Sequence, residues 1–241
     1  MTQNKIDPQT ALLLAGMFVV VWVLWDTPIV YPIKIFVVTL HELGHATATL
    51  LTGGEVLSIQ LFPDQGGLTI SRGGNALIIL SAGYTGSVLA GGALIYLSSF
   101  RRQARALMTV LAVLIAFTTL LFIRNFFGII FGIAAGGAML FAASRLSDGV
   151  NQFILRFIAV ASGLYALLDI RSDLFVFGAS GASSSGVVND ATALARLTNL
   201  PALFWAILWM VISIVMLLYF LNLSARVRDQ DFKSGEDVRH R

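Results

Sequence analysis

Phe36-Val37-Val38-Thr39-Leu40-His41-Glu42-Leu43-Gly44-His45-Ala46-Thr47-Ala48 sets two imidazoles and a carboxylate inside a run of otherwise apolar or small residues. Positions four apart share one face of an α-helix, so His41 and His45 project together and Glu42 stands beside the first. Burying three such groups without a shared purpose costs several kcal/mol, of order 2–7 for each unpaired polar group. A divalent metal between the imidazoles, with the carboxylate within reach of a metal-bound water, removes that cost. The alternative is a pair of core histidines hydrogen-bonded to neighbouring helices.

The residues around this run identify the solvent. Of 241 residues, 57% are hydrophobic and 12% are charged, and the mean hydropathy is +0.83. Soluble domains carry about 25% charged residues. The composition excludes a soluble enzyme, a disordered chain and a nucleic-acid binder, although the net charge is +3. With no cysteine, thiolate catalysis, disulfides and Cys-based metal sites are excluded as well.

A helix needs about 20 apolar residues to cross about 30 Å of hydrocarbon. Seven segments approach that length: 10–25, 33–52, 75–98, 104–123, 126–144, 150–169 and 201–223. The first lacks a basic flank and a small-residue cleavage pattern, and reads as a retained span. Gly53-Gly54 ends the segment that carries the histidines. Between 55 and 71 the period changes. Leu57, Ile59 and Leu61 alternate with Val56, Ser58 and Gln60, Pro63-Asp64-Gln65-Gly66-Gly67 is turn chemistry, and 68–71 resume the alternation. That pattern predicts a β-hairpin, which must lie at the interface, in a cavity or against protein, since lipid does not tolerate an open sheet edge. A short helix capped by Asn189 or Asp190 is expected before the last span.

The expected fold is therefore an all-α polytopic membrane protein of about seven transmembrane helices, with a small β-hairpin after the His41–His45 helix. Residues 1–225 form one membrane-embedded domain with a Gly/Ser loop at about 172–190, followed by a polar tail, 226–241, expected to be disordered. Seven spans put eleven basic residues on the side of that tail and five on the other, out of 16. The bias predicts a cytoplasmic C-terminus.

A catalytic zinc usually has three protein ligands and an open position. His240 lies in the tail, so the third ligand must come from the 13 carboxylates. Asp169 stands out because it follows the apolar run Leu164–Leu168 at the end of a span that finishes on the side towards which the His41–His45 helix runs. Asp173, one turn later, and Asp190 stay open.

At this point the residues resemble the site-2 protease family of intramembrane zinc metallopeptidases, in its smaller bacterial and plant-type branch. The likeness rests on His41-Glu42-Leu43-Gly44-His45 in a membrane helix, the following hairpin and Leu168-Asp169 at a helix end, and spans residues 33–225. It implies one catalytic zinc held by His41, His45 and Asp169, with Glu42 as general base for hydrolysis of peptide bonds in membrane-associated substrates. It also implies residence in a bacterial cytoplasmic (inner) membrane. The chain departs from the family where Ile170 replaces a glycine and the upstream Asn-Pro is missing. Ser81–Ser87 stands where the family has a Gly-Pro helix with a polar Asn. The rival readings are a non-proteolytic zinc-binding scaffold or chaperone and, third, a transporter. Gly128-x-x-x-Gly132-x-x-x-Gly136 permits close helix approach, inside the bundle or in a dimer. No substrate, partner protein or oligomeric state is legible.

Overall fold

A computed structural model describes residues 8–175 and 188–239, with side chains at 12–165, 167–168 and 188–224. The Gly/Ser stretch 176–187 lies outside the described residues. Helices α1 (Pro8–Val23), α2 (Tyr31–Leu51), α3 (Ala76–Leu97), α4 (Ala104–Leu121), α5 (Phe126–Arg145), α6 (Asp148–Phe175), α7 (Asp190–Thr198) and α8 (Ala202–Arg239) are joined in that order, with strands β1 (Glu55–Leu61) and β2 (Gly67–Arg72) between α2 and α3. Each expected span is a helix. Four are long and apolar enough to cross a membrane, namely Ala76–Leu97, Arg101–Leu121, Phe126–Arg145 and Ala202–Ser224, and α1 contributes the shorter apolar stretch Leu12–Val23. The structure thus supports a helical membrane protein with a two-stranded sheet, without establishing a count of seven spans.

Helix α2 falls short in hydropathy because it carries Lys, Thr, His and Glu on a stretch largely buried in protein. Lys34 through Glu42, with His45, Ala46, Ala48 and Thr49, are all buried. A stretch buried in protein has no lipid face to keep apolar, so it can carry Thr, His and Glu. By contrast α4, α5 and α8 present Phe117, Leu120, Ile133, Phe141, Val215 and Leu218 to the outside. Lys34 is tolerated because its ammonium lies over the Trp25 ring, 4.5 Å from the centroid, and reaches Asp26 at 3.7 Å. This is the snorkelling expected of a long cationic side chain.

Lipid tails are as apolar as leucine, so helices in a bilayer associate through close packing. A Cβ on Gly44 would strike the Ala82 carbonyl group, its carbon at 3.1 Å. The two backbones of α2 and α3 therefore touch there. The Gly128/Gly132/Gly136 stripe turns its buried face towards α4, where Gly132 packs on Thr119, which assigns it to packing within the bundle. Ile123, Leu155, Ile158 and Met108 fill the spaces further along. Beyond the last apolar turn α8 continues as helix to Arg239, where a disordered tail was expected. Its Arg, Gln, Lys and Glu residues are good helix formers, and no proline interrupts them. Similarly α6 runs to Phe175, past the expected end at Asp169.

The hairpin forms where predicted, antiparallel, pairing Ser58 with Ile70, Ile59 with Thr69, Gln60 with Leu68 and Leu61 with Gly67. One expectation fails in detail. Leu57 does not share the buried face with Ile59 and Leu61: it is 45% exposed, whereas both of those are fully buried. The reason is a register irregularity between Val56 and Ser58, an extra residue that turns the strand at its start.

Candidate metal centre and base

The site is assembled on α2 by three neighbours, α3, α7 and the hairpin. The donor atoms of His41, Glu42 and His45 all lie within 4.8 Å of one another, and the three residues are 9%, 4% and 7% exposed. The sequence pattern that brought them together is the four-residue helical step. What keeps them oriented comes from elsewhere in the chain.

Helix α3 makes the space. A Cβ on Gly83 would collide with His41 Nε2, and would lie 2.6 Å from Cε1 of both His41 and His45. Only a residue without a side chain fits beneath the two rings. The Ile79 carbonyl, one turn earlier on α3, accepts a hydrogen bond from His45 Nδ1 at 2.7 Å. That bond places the proton on Nδ1 and leaves Nε2 as the nitrogen for a metal. The Tyr84 ring meets the His41 ring edge-on, with centroids 4.9 Å apart.

Helix α7 supplies a carboxylate. Asp190 Oδ2 lies 3.0 Å from His41 Nε2 and 3.2 Å from His45 Nε2. Its position follows from the cap. Asn189 accepts from Thr192 N at 2.8 Å as the N-cap, which releases the next side chain to face inward. Ala191 and Leu194 then pack α7 against Tyr84, Trp205, Ala206 and Trp209. Burial disfavours the charged form of Asp190, and the two imidazoles outweigh it, holding the carboxyl well below the usual carboxylate range.

The hairpin supplies the fourth wall. Thr69 Oγ1 donates to Glu42 Oε2 at 2.6 Å, and a Cβ on Gly67 would fall 2.8 Å from Glu42 Cδ. The hairpin is held from behind by the loop between α4 and α5. Ile59 N donates to Phe122 O at 2.7 Å, and Arg124 N donates to Ile59 O at 3.1 Å. The Asn125 side chain accepts from Leu61 N at 3.1 Å and donates to Leu61 O at 2.6 Å. The outer edge of β1 is therefore occupied. Since Ile59 and Leu61 point their backbone groups away from β2, their cross-strand partners Thr69 and Gly67 point theirs to the outer edge of β2. Among the described residues no strand pairs there.

Asp169 lies in α6, and its side chain, like that of Asp173, is outside those described. The backbone still sets its depth. Gln152 Nε2 donates to Ser98 O at 2.7 Å, and Gly91 packs on Ser162, so α6 runs antiparallel to α3. From Ser162, seven residues at about 1.5 Å each carry position 169 to the level of Gly83 and His41.

Zinc fits these residues. Two imidazole nitrogens and a carboxylate converge on one point, which is the donor chemistry of a zinc site. Glycine at 83 leaves room for both rings. The buried His41 Nδ1 has no partner among the described residues, and it is His41 Nε2 that faces Asp190, as His45 Nε2 does.

Four contributors to the site were not recognised from sequence: Gly67, Thr69, Tyr84 and Asn125. A proline-poor hairpin with Gly-Gly at its turn was the only local signal for the first two. Gly83 lay within the stretch Ser81–Ser87 already aligned with the family's glycine-bearing helix.

A family model described as Peptidase M50B-like matches residues 14–220, a stretch that includes every residue of the site. No curated protein and no solved structure matches the chain.

Proposed function

The chain belongs to the Peptidase M50B-like family, membrane metallopeptidases of the site-2 protease kind, and on that premise we propose that it is a zinc-dependent intramembrane endopeptidase. The observation that carries the reading is the approach of Asp190 Oδ2 to both imidazole nitrogens, at 3.0 and 3.2 Å, beside a glutamate that is itself 4% exposed. His41 and His45 are two of the zinc ligands. The geometry favours Asp190 as the third, and the family resemblance favours Asp169, which sits at the same depth.

A bound zinc would supply Lewis acidity, acidifying water and polarising a peptide carbonyl. Glu42 takes the proton of the attacking water and passes it to the departing amine, the two halves of general acid–base catalysis. His45 keeps its Nδ1 proton on Ile79 throughout, so the ring does not turn. Tyr84, Leu194, Trp205 and Trp209 enclose the aspartate side and limit water there.

A helical substrate hides its carbonyls in its own hydrogen bonds and must unwind before hydrolysis. The free outer edge of β2 receives the extended segment by strand addition, and β2 is the strand that touches Glu42. The same hairpin also fills space beside α2.

The enzyme works in a bilayer on membrane-associated peptides. The excess of basic residues on the side of the C-terminal tail supports a cytoplasmic C-terminus, in a bacterial inner membrane. The test is hydrolysis of a quenched fluorescent peptide with an alanine–leucine transmembrane segment by the detergent-purified protein. Cleavage should stop on zinc removal, return on zinc addition and be absent in Glu42→Gln with zinc retained. Cleavage that persists in Glu42→Gln refutes the assignment of the base and, with it, this mechanism.

A further inference from the structure

Most threonines in the bundle satisfy their hydroxyls within their own helix. Thr39 donates to Ile35 O, Thr49 to His45 O, Thr118 to Leu114 O and Thr119 to Ile115 O. Thr69 behaves differently. It sits on a strand, reaches 27 residues back along the sequence, and donates to Glu42 Oε2 at 2.6 Å, with the Glu42 main-chain oxygen at 3.1 Å. Among the described residues it is the donor that meets this carboxylate.

The neighbouring strand position completes the arrangement. A Cβ on Gly67 would collide with Glu42 Oε1 and would lie 2.8 Å from its Cγ and Cδ. Only glycine there leaves room for that second oxygen. Residues 67 and 69 are two apart, so they lie on one face of β2. That face bonds one carboxylate oxygen and makes room for the other.

The geometry points to Thr69 as the positioning residue of the general base: it fixes the Glu42 carboxylate through Oε2, with glycine at 67 leaving the room that Oε1 occupies. This rests on the peptidase reading above and adds the part played by the hairpin in it. The bond also has a consequence for substrate register. The backbone N–H and C=O of Thr69 lie on the outer edge of β2, so a substrate strand paired at residue 69 is attached to the same residue that holds the base. Hairpin, base and paired substrate then move as a unit, and a shift of the strand by one residue would carry the hydroxyl to the opposite face.

The experiment uses the full chain in detergent, with Thr69→Val, Thr69→Ser and Gly67→Ala. The sequence contains three glutamates, Glu42, Glu55 and Glu236, so ¹³C-glutamate labelling leaves three carboxylates to resolve by infrared spectroscopy. The band lost in Glu42→Gln identifies Glu42. In Thr69→Val that band should shift, in zinc-free and zinc-loaded protein alike, and Thr69→Ser should restore it. Loss of a hydrogen bond to a charged group predicts a fall in kcat of about tenfold to a hundredfold on the transmembrane-segment peptide, with KM and zinc content unchanged. Gly67→Ala should lower kcat through the other oxygen. An unshifted Glu42 band in folded Thr69→Val, or a Thr69→Ser as impaired as Thr69→Val, overturns the proposal. A wild type that holds zinc and cleaves nothing overturns the peptidase reading instead, and the infrared shift then still decides whether Thr69 holds Glu42.

Discussion

Replacing Gly83 by alanine adds a methyl group beneath both imidazoles. Its carbon would lie 2.6 Å from His41 Cε1 and 2.6 Å from His45 Cε1, about 1 Å short of ordinary carbon–carbon contact. Helix α3 cannot simply withdraw, because its other side is packed against α6 and α8, with Gly91 on Ser162 and Gly92 on Phe220. The rings must therefore tilt. Overpacking of this kind costs about 1–3 kcal/mol, and the strain falls on the nitrogens that face the metal. Zinc–nitrogen distances tolerate departures of only about 0.2 Å, so the cost appears in metal affinity, as a rise in Kd of about 5- to 150-fold. The assay is competition for zinc with a chromophoric chelator in detergent, with circular dichroism to check helix content. Gly137→Ala is the control, since an added methyl there meets nothing within 4 Å. A Gly83→Ala protein with normal helix content and wild-type zinc affinity would refute the reasoning.

Two further predictions concern the walls of the site. Trp209→Ala removes a side chain that is 1% exposed and packs at a tilt on the Tyr84 ring, centroids 5.0 Å apart; it should cost about 3–5 kcal/mol and weaken zinc binding by loosening α7, both read from thermal melts with and without zinc. Phe204→Ala, at a side chain 48% exposed on the lipid side, should change neither, and equal effects of the two would contradict the packing argument. Ser71→Pro removes a backbone donor that alternation from Thr69 places on the outer edge of β2, and proline is tolerated on such edges. The variant should fold, bind zinc and lose cleavage of the transmembrane-segment peptide chiefly through KM; unchanged KM removes the substrate strand from β2. Proline at Ile59 or Leu61 is the poorer test, because their N–H groups are bonded to Phe122 and Asn125.

Much of the site was legible because it is local. The four-residue step from His41 to His45, the glycine pair after Thr52 and the alternation in the hairpin are short-range patterns with one structural meaning each. Gly53 does take a positive φ of 80°, the conformation that ends a helix and that glycine adopts freely. The cap at Asn189 or Asp190 was also readable, but Asp190 entered as a ligand only among the carboxylates that elimination left open. What the sequence did not disclose is long-range. Nothing in the period of α3 says that Gly83 faces α2 and not lipid. Nothing in the hairpin says that Thr69 meets a residue 27 positions earlier. The choice among Asp169, Asp173 and Asp190 turned on helix packing, which elimination by composition does not contain. Helix α2 misses the hydropathy of a span for a physical reason too, since most of its polar groups are buried in protein.

The most direct measurement is zinc per chain by elemental analysis of the purified wild type and of Glu42→Gln, Asp190→Ala and Asp169→Ala, each checked for folding. The account predicts a single zinc in the wild type, retained in Glu42→Gln and in Asp169→Ala and lost in Asp190→Ala. Zinc kept in Asp190→Ala and lost in Asp169→Ala would return the third ligand to α6. No zinc in the folded wild type, even after reconstitution, would contradict the metal centre itself.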